Sequence, residues 1–230
     1  MKESGHNLAD TPPAGMDQKL LFLINRQWTN AGLDWFMGAI SCFAAWVPFF
    51  LILILILLLK GGFKIRAFLI TAGLIVGIND GLVSKTLKQL VDRPRPHQTM
   101  NDVRIVDLAK ATPRVLALFK PASVKLSRIE FGDVEGRSFP SSHTMNCFSA
   151  ALVALCFFGR PAAWGFLLAA LVGYSRIYTG SHWPSDVVTS IFLAFGSTLM
   201  LMALAERLWQ RAGRRLLPQT HALHPSLLAT

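Results

Sequence analysis

Two histidines and an aspartate stand beside apolar runs, where titratable side chains are rare. His143 lies at the start of the run 144–159, and His182 lies shortly before the run 187–205. Asp186 follows His182 by four residues, so its carboxylate could hold the proton of one ring nitrogen and leave the other free to attack. His143 could then protonate a leaving oxygen. The pattern predicts nucleophilic and general-acid catalysis by two histidines.

Three cations and two serines also lie close to the ends of apolar runs. They are Lys88, Arg95, Arg176, Ser141 and Ser142. Arginine keeps its charge, and three cations match the negative charge that builds on phosphoryl oxygens during transfer. Ser141, near the start of a helix, would add a hydroxyl beside free backbone N–H groups. These residue types predict a phosphate site.

Composition indicates a polytopic membrane protein. Apolar residues make up 52% of the 230 residues, charged residues make up 16%, and mean hydropathy is +0.42. The net charge of +10 comes from cations placed mostly between apolar runs, which argues against a nucleic-acid partner. Cys42, Cys147 and Cys156 lie inside apolar runs without metal-ligand spacing, so we expect neither a metal site nor a disulfide framework.

The apolar runs predict an all-α polytopic membrane helical bundle. About five transmembrane helices are expected, at 37–59, 67–84, 144–159, 161–175 and 187–205. The first run is uncharged for 23 positions, enough to cross about 30 Å of hydrocarbon. In the second, Gly73, Gly77 and Gly81 would offer a small-residue face for close helix contact.

Three regions are expected along the chain. Residues 1–36 form an N-terminal tail and an interfacial helix, although a helix packed on the bundle is the alternative. Residues 37–208 form the membrane domain, with an outer loop at 97–138, and residues 209–230 form a tail.

Positive charge predicts the orientation in the membrane. The turn after the first run carries three cations, the turn at Arg160 carries one, and the C-terminal tail is rich in arginine. Cytoplasmic segments are enriched in such residues, so the C-terminus is expected in the cytoplasm and the loop 97–138 outside. This topology brings the histidine and cation clusters to one outer face.

The motifs K-x6-RP, PSxH and SR-x5-H-x3-D are all present, and the segment from about 67 to 205 resembles the type 2 phosphatidic acid phosphatase superfamily, in its bacterial membrane lipid phosphatase branch. That superfamily shares its site with vanadium-dependent haloperoxidases. The resemblance implies that His182 forms a phosphohistidine, Asp186 orients it and His143 is the general acid. It also implies that phosphate is held without a metal or other cofactor by Lys88, Arg95, Ser141, Arg176 and the backbone N–H of Ser142. Ser142 stands where the family commonly has glycine.

The leading functional hypothesis is hydrolysis of a lipid phosphate or diphosphate at the outer face of a bacterial cytoplasmic membrane. Candidate substrates are undecaprenyl diphosphate, phosphatidylglycerol phosphate, phosphatidic acid and lipid A. The alternative is a lipid phosphotransferase that uses the same site. Oxidative chemistry with vanadate is disfavoured because such relatives are typically soluble. A non-catalytic binder or transporter would not need two positioned histidines.

Several polar residues near the motifs have less definite predictions. Asp80 would lie about 12 Å deeper than Lys88 along a helix and could pair with a cation or pack among polar groups. Asn146 could bond within the pocket or between helices. Asp92, Arg93 and His97 are predicted to lie in a solvated loop, with head-group contact as the alternative.

Overall fold

The computed structural model describes residues 15–129 and 137–229. The α-helices are α1 (Met16–Phe22), α2 (Ala31–Ser41), α3 (Phe43–Lys60), α4 (Phe63–Ile78), α5 (Lys85–Val91), α6 (Pro96–Thr99), α7 (Ser142–Phe158), α8 (Gly165–Tyr178), α9 (Pro184–Leu208), α10 (Arg214–Leu216) and α11 (Pro218–Leu223). The strands are β1 (Arg104–Leu108) and β2 (Ala122–Leu126). Wider π-helical turns extend three helices, at Leu23–Gln27, Asn79–Ser84 and Trp209–Gly213.

The all-α prediction is confirmed, with one small sheet added. Among the described residues, three helical segments are long and apolar enough to cross a membrane: Phe43–Lys60, Phe63–Thr99 and Pro184–Leu216. The two remaining predicted spans correspond to α7 and α8, which are shorter, at 17 and 14 residues. Helix α7 lies centrally, in contact with α4, α8 and α9. Because α7 is surrounded by these helices, many of its apolar side chains are buried inside the protein, although it is shorter than the three longer segments.

The first predicted span is interrupted. A continuous helix was expected over 37–59, but the chain leaves helical geometry at Cys42, between α2 and α3. The carbonyls that end α2 are satisfied from elsewhere: Trp46 Nε1 donates to the oxygen of Ala39 at 2.8 Å, and Arg176 Nη1 donates to the oxygen of Ser41 at 3.3 Å. These side-chain donors let the helix break inside an apolar run.

The glycine face of the second span packs on nothing within the described chain. A Cβ atom added at Gly73, Gly77 or Gly81 would meet no atom within 4 Å. The close helix contact expected from this spacing is therefore not made by any of the described residues.

The outer loop carries the two strands. They pair antiparallel, with Arg104 opposite Leu126 and Leu108 opposite Ala122, and a 3-10 turn at Arg114–Phe119 connects them. The buried residue Leu108 packs in the same apolar cluster as Ala39 of α2. The predicted polar loop 97–138 is thus a folded hairpin where it is described, and it rests on the helices that lead into the first span.

The N-terminal helix packs on the bundle. Leu21 is fully buried with Ile177 and Val187, whereas Leu20 and Trp28 on its other side are exposed. Asn25 Nδ2 donates to the carbonyl oxygens of Arg104 and Tyr178, at 2.8 and 2.7 Å. These contacts fit the alternative prediction of a packed helix and join α1 to the outer hairpin and to the end of α8.

The C-terminal segment folds back on the opposite end of the bundle. Leu227 is buried beside Phe157 and Met202, and Trp209 Nε1 donates to the carbonyl oxygen of His224 at 2.9 Å. Within residues 209–229 the predicted tail is therefore folded as a cap, which covers the end of the bundle opposite the histidine motifs.

Candidate active site

The three sequence motifs meet at one end of the bundle. Helix α5 brings Lys88, the start of α7 brings Ser142, and the ammonium of Lys88 donates to the hydroxyl of Ser142 at 2.6 Å. Helix α9 begins at Pro184, the proline that the sequence places in the first turn, and it carries Asp186 beside His182. Elements that are distant in sequence thus form one polar cluster.

The loop before α9 requires a glycine. Gly180 has φ +69°, and a Cβ atom there would come within 2.6 Å of the carbonyl oxygen of Arg104. Such backbone geometry favours glycine. The close approach seats the His182 loop directly against strand β1.

His182 is buried, and a backbone carbonyl sets its tautomer. Its Nδ1 lies 2.6 Å from the carbonyl oxygen of Ser138. A carbonyl can only accept, so Nδ1 carries the proton and donates it, which leaves the lone pair on Nε2. Asp186 Oδ2 lies 4.0 Å from the same nitrogen, beyond hydrogen-bond distance. The direct bond that the four-residue spacing predicts is thus replaced by a bond to Ser138.

The surroundings keep His182 neutral. Burial of the ring, followed by the positive charges of Arg176 and Arg95, lowers the pKa of His182 well below its ordinary value. A hydrogen bond from Nδ1 to Ser138 acts in the opposite direction but does not offset them. The ring therefore presents an unprotonated Nε2 at neutral pH.

Asp186 is fully buried and has three partners. Oδ2 accepts from the hydroxyl of Ser138 at 2.5 Å and from the backbone N–H of Trp183 at 3.0 Å. Oδ1 accepts from Arg93 Nη1 at 2.6 Å. A buried carboxylate needs such compensation, so its position is determined by these donors.

The serines lie at the start of α7, as predicted. Ser141 is buried immediately before the helix, its N–H donates to Ser190 Oγ at 2.8 Å, and its own hydroxyl accepts from Thr144 Oγ1 at 2.9 Å. Ser142 Oγ lies 2.7 Å from Ser84 Oγ as well as beside Lys88. Ser142 stands where the family commonly has glycine, and its hydroxyl therefore lies against Lys88, a predicted phosphate ligand.

Three cations surround the histidines. The charges of Arg176, Arg95 and Lys88 all act on His182, and the same three act on His143. Arg176 also donates through Nη1 to Ser41, whereas its buried Nε has no hydrogen-bond partner among the described residues. The arrangement places positive charge around both rings.

A cavity of about 630 Å³ opens beside Lys88 and Ser142. Its lining is mostly polar: Asp80, Gly81, Lys85, Lys88, Gln89, Asp92, Arg137 and Ser142. Asp80 is exposed there, and its negative charge acts on both Lys88 and His143. A second cavity of about 440 Å³, between α2 and the hairpin, holds none of the motif residues.

Sequence reasoning missed Ser138 and Arg93. Arg93 was predicted to lie in a solvated loop, but it pairs with Asp186 and with Asp17 of α1. His97 also has a partner, since its Nδ1 lies 2.9 Å from the carbonyl oxygen of Gly180. The DRPRP stretch offers two arginines, and only the second belongs to the motif. Ser138 contacts His182 through its backbone carbonyl, a group that every residue carries, so the sequence gives no signal for this contact.

The described part of the chain offers no cluster of metal ligands. In residues 15–129 and 137–229, no group of three or more His, Cys, Asp or Glu side chains could hold a metal ion. The polar cluster is instead dominated by cations, which suit an anionic ligand.

Comparisons with known proteins identify the family and the fold. The lipid A 4'-phosphatase of Bacteroides thetaiotaomicron is 28% identical over 170 residues, which cover 72% of this chain and 67% of that protein. The undecaprenyl-diphosphatase BcrC of Bacillus subtilis is 38% identical over 58 residues, which cover 25% and 30%. The crystal structure of LpxE from Aquifex aeolicus has the same fold, with a TM-score of 0.57 and 23% identity over 83% of this chain and 97% of that one. Residues 65–210 match the PAP2 superfamily, the family that the three motifs predict, and the chain belongs to that superfamily.

Proposed function

We propose that this protein removes a phosphate group from a membrane lipid through a phosphohistidine on His182, without a metal ion. The observation that carries the proposal is the hydrogen bond from Nδ1 of His182 to the carbonyl oxygen of Ser138, at 2.6 Å. It leaves Nε2 as the nucleophile, surrounded by positive charge.

The reaction proceeds in two steps. Nε2 of His182 attacks phosphorus, an N–P bond forms, and the P–O bond to the lipid breaks while His143, which the negative charge of the bound phosphate keeps protonated, gives its proton to the leaving oxygen. In the second step His143 takes a proton from water, the water oxygen attacks phosphorus, and the N–P bond breaks. Phosphate leaves, and both histidines return to their starting protonation states.

Lys88, Arg95 and Arg176 stabilise the transferring group. Their charges act on both histidines, which supports a place for them beside the phosphoryl oxygens during the transfer. Ser141 and the backbone of Ser142, at the start of α7, complete the proposed phosphate site. In such a site the three side-chain cations perform the charge neutralisation that metal ions supply in other phosphatases.

The substrate is proposed to be a phosphorylated lipid whose head group occupies the cavity beside Lys88. The match to a lipid A 4'-phosphatase extends over 72% of this chain, whereas the match to BcrC covers 25%. A lipid A phosphate ester is therefore the first substrate to test. By the distribution of positive charge, the site faces the outer side of the cytoplasmic membrane and the C-terminus faces the cytoplasm.

Phosphate release by purified protein tests the proposal. The panel comprises lipid A, undecaprenyl diphosphate, phosphatidylglycerol phosphate and phosphatidic acid, each with and without a chelator. We expect release from one lipid that His182→Ala abolishes and that a chelator leaves unchanged. His221→Ala serves as the matched control, because this histidine lies in the C-terminal cap. Full activity in His182→Ala, or loss of activity with the chelator, would contradict the proposed mechanism.

A further inference from the structure

Arg93 connects three parts of the site although it belongs to none of the motifs. Its carbonyl oxygen accepts from the N–H of Ser138 at 2.8 Å. Its Nη1 donates to Asp186 Oδ1 at 2.6 Å, and its Nη2 donates to Asp17 Oδ2 at 2.7 Å. One residue thus holds Ser138 with its backbone and Asp186 with its side chain.

These contacts form a closed ring. Ser138 completes it, since its hydroxyl donates to Asp186 Oδ2 at 2.5 Å. The carbonyl of the same serine accepts from Nδ1 of His182. The hydrogen bond that sets the His182 tautomer therefore depends on the position of Ser138. Arg93 fixes the N–H of this serine directly and its hydroxyl through Asp186.

Asp17 supports Arg93 from α1. Its Oδ1 accepts from the N–H of Ser185 at 2.8 Å and its Oδ2 from the hydroxyl of Ser185 at 2.5 Å, so it also caps the start of α9. Burial alone would raise the pKa of Asp17, but hydrogen bonds from Ser185 and Arg93 outweigh burial and lower it. Asp17 therefore remains an anionic partner for Arg93 at mildly acidic pH.

We propose that Arg93 is a positioning residue that fixes Ser138 and Asp186, and through them the ring of His182, and that Asp17 makes α1 part of this scaffold. The inference rests on the proposed function of His182. A planar guanidinium suits the role because its separate N–H groups can reach two carboxylates at once. Lysine, with one ammonium, cannot reproduce that geometry.

The kinetics of Arg93→Gln, Arg93→Lys and Asp17→Asn test the proposal. For Arg93→Gln we expect kcat to fall on the order of 100-fold with KM within about twofold, because the nucleophile is misplaced while the phosphate ligands remain. Arg93→Lys should recover part of this loss, since it restores a charge beside Asp186. Arg26→Gln is the matched control: this arginine pairs with Asp102 at 3.5 Å, away from Asp186.

Two further measurements distinguish positioning from general stabilisation. Asp17→Asn should lower kcat in the wild-type background and have little further effect in the Arg93→Gln background, because Asp17 acts through Arg93. The acid limb of kcat/KM should move to higher pH in Arg93→Gln, since removing a positive charge beside Asp186 makes His182 easier to protonate.

An unchanged kcat in folded Arg93→Gln, or the same loss in Arg26→Gln, would overturn the inference. Additive effects of the Asp17 and Arg93 substitutions would overturn the role of α1. If Arg93→Gln does not fold, Arg93→Lys and Asp17→Asn carry the test, and a wild-type kcat in both folded variants would overturn the inference. A failure of the proposed function can be told apart from a failure of this inference. In that case His182→Ala would keep wild-type activity, independently of the result for the Arg93 variants.

Discussion

The ring nitrogen Nδ1 of His182 lies 2.6 Å from the carbonyl oxygen of Ser138 and 4.0 Å from the carboxylate of Asp186. Asp186 is linked to the ring through Ser138, because its Oδ2 accepts a hydrogen bond from the hydroxyl of that serine. The backbone of one serine therefore orients the histidine, and the side chain of the same serine links it to the buried acid.

Replacing Ser138 with alanine separates these two contributions. The carbonyl remains for His182, but Asp186 loses a charge-assisted hydrogen bond of about 1.5–3 kcal/mol. We expect kcat to fall by about 10- to 100-fold and KM to change little. Steady-state kinetics on Ser138→Ala and on the distant control Ser226→Ala will measure this, and equal rates in both would show that the hydroxyl is not used.

The pH dependence of kcat/KM should reflect the low pKa of His182. The neutral ring attacks, and burial together with Arg176 and Arg95 holds its pKa well below the ordinary value of 6.5. Activity is then lost only at a pH below that value. In Arg95→Gln one positive charge is removed, the pKa of His182 rises, and the acid limb moves to higher pH.

Wild type and Arg95→Gln are compared with one substrate, so the ionisation of the substrate is common to both profiles. A limb that stays in place, or moves to lower pH, would show that the charge of Arg95 does not act on the attacking group.

Ser142→Gly should free Lys88 from a partner inside the protein. The hydroxyl of Ser142 lies 2.6 Å from the Lys88 ammonium, so it competes with a phosphate oxygen for that cation. We expect kcat within about threefold of wild type and a lower KM, which is the pattern of altered ground-state binding. Ser142→Ala is the control for helix flexibility, because glycine costs about 1 kcal/mol in a helix. A loss of kcat beyond 100-fold in both variants would give the hydroxyl a direct role in the chemistry.

Lys85→Ala tests the cavity as the head-group site. Lys85 lines the cavity one helical turn from Lys88 and is exposed. For a lipid with a second phosphate, we expect KM to rise several-fold with kcat unchanged, and the effect should weaken in high salt because exposed charges are screened. Lys60→Ala, at the end of α3, is the matched control. A fall in kcat without a change in KM would place Lys85 in the reaction itself.

Much of the fold and the membership of the site could be predicted from residue types and spacing. Apolar runs predict the helical bundle, and Pro184 predicts the start of α9. The cations and histidines were expected on one face, and the structure brings Lys88, Arg95 and Arg176 into range of His182. Their roles in catalysis remain predictions.

The parts that could not be predicted depend on tertiary contacts. A backbone carbonyl has no residue signature, so nothing in the sequence indicates that Ser138 takes the bond expected of Asp186. Arg93 in a polar stretch looks solvated until α1 folds beside it and supplies Asp17. The break at Cys42 lies within a uniformly apolar run and depends on donors from Trp46 and Arg176.

The most direct test of the central claim is to trap the covalent intermediate. Protein mixed with lipid labelled with ³²P at the scissile phosphate would be quenched within the first turnover, and the label on protein measured after acid and after alkali. We predict a label that is stable in alkali, labile in acid, located on His182 and missing from His182→Ala. An active enzyme that never carries label on His182, or that carries it elsewhere, would contradict the account.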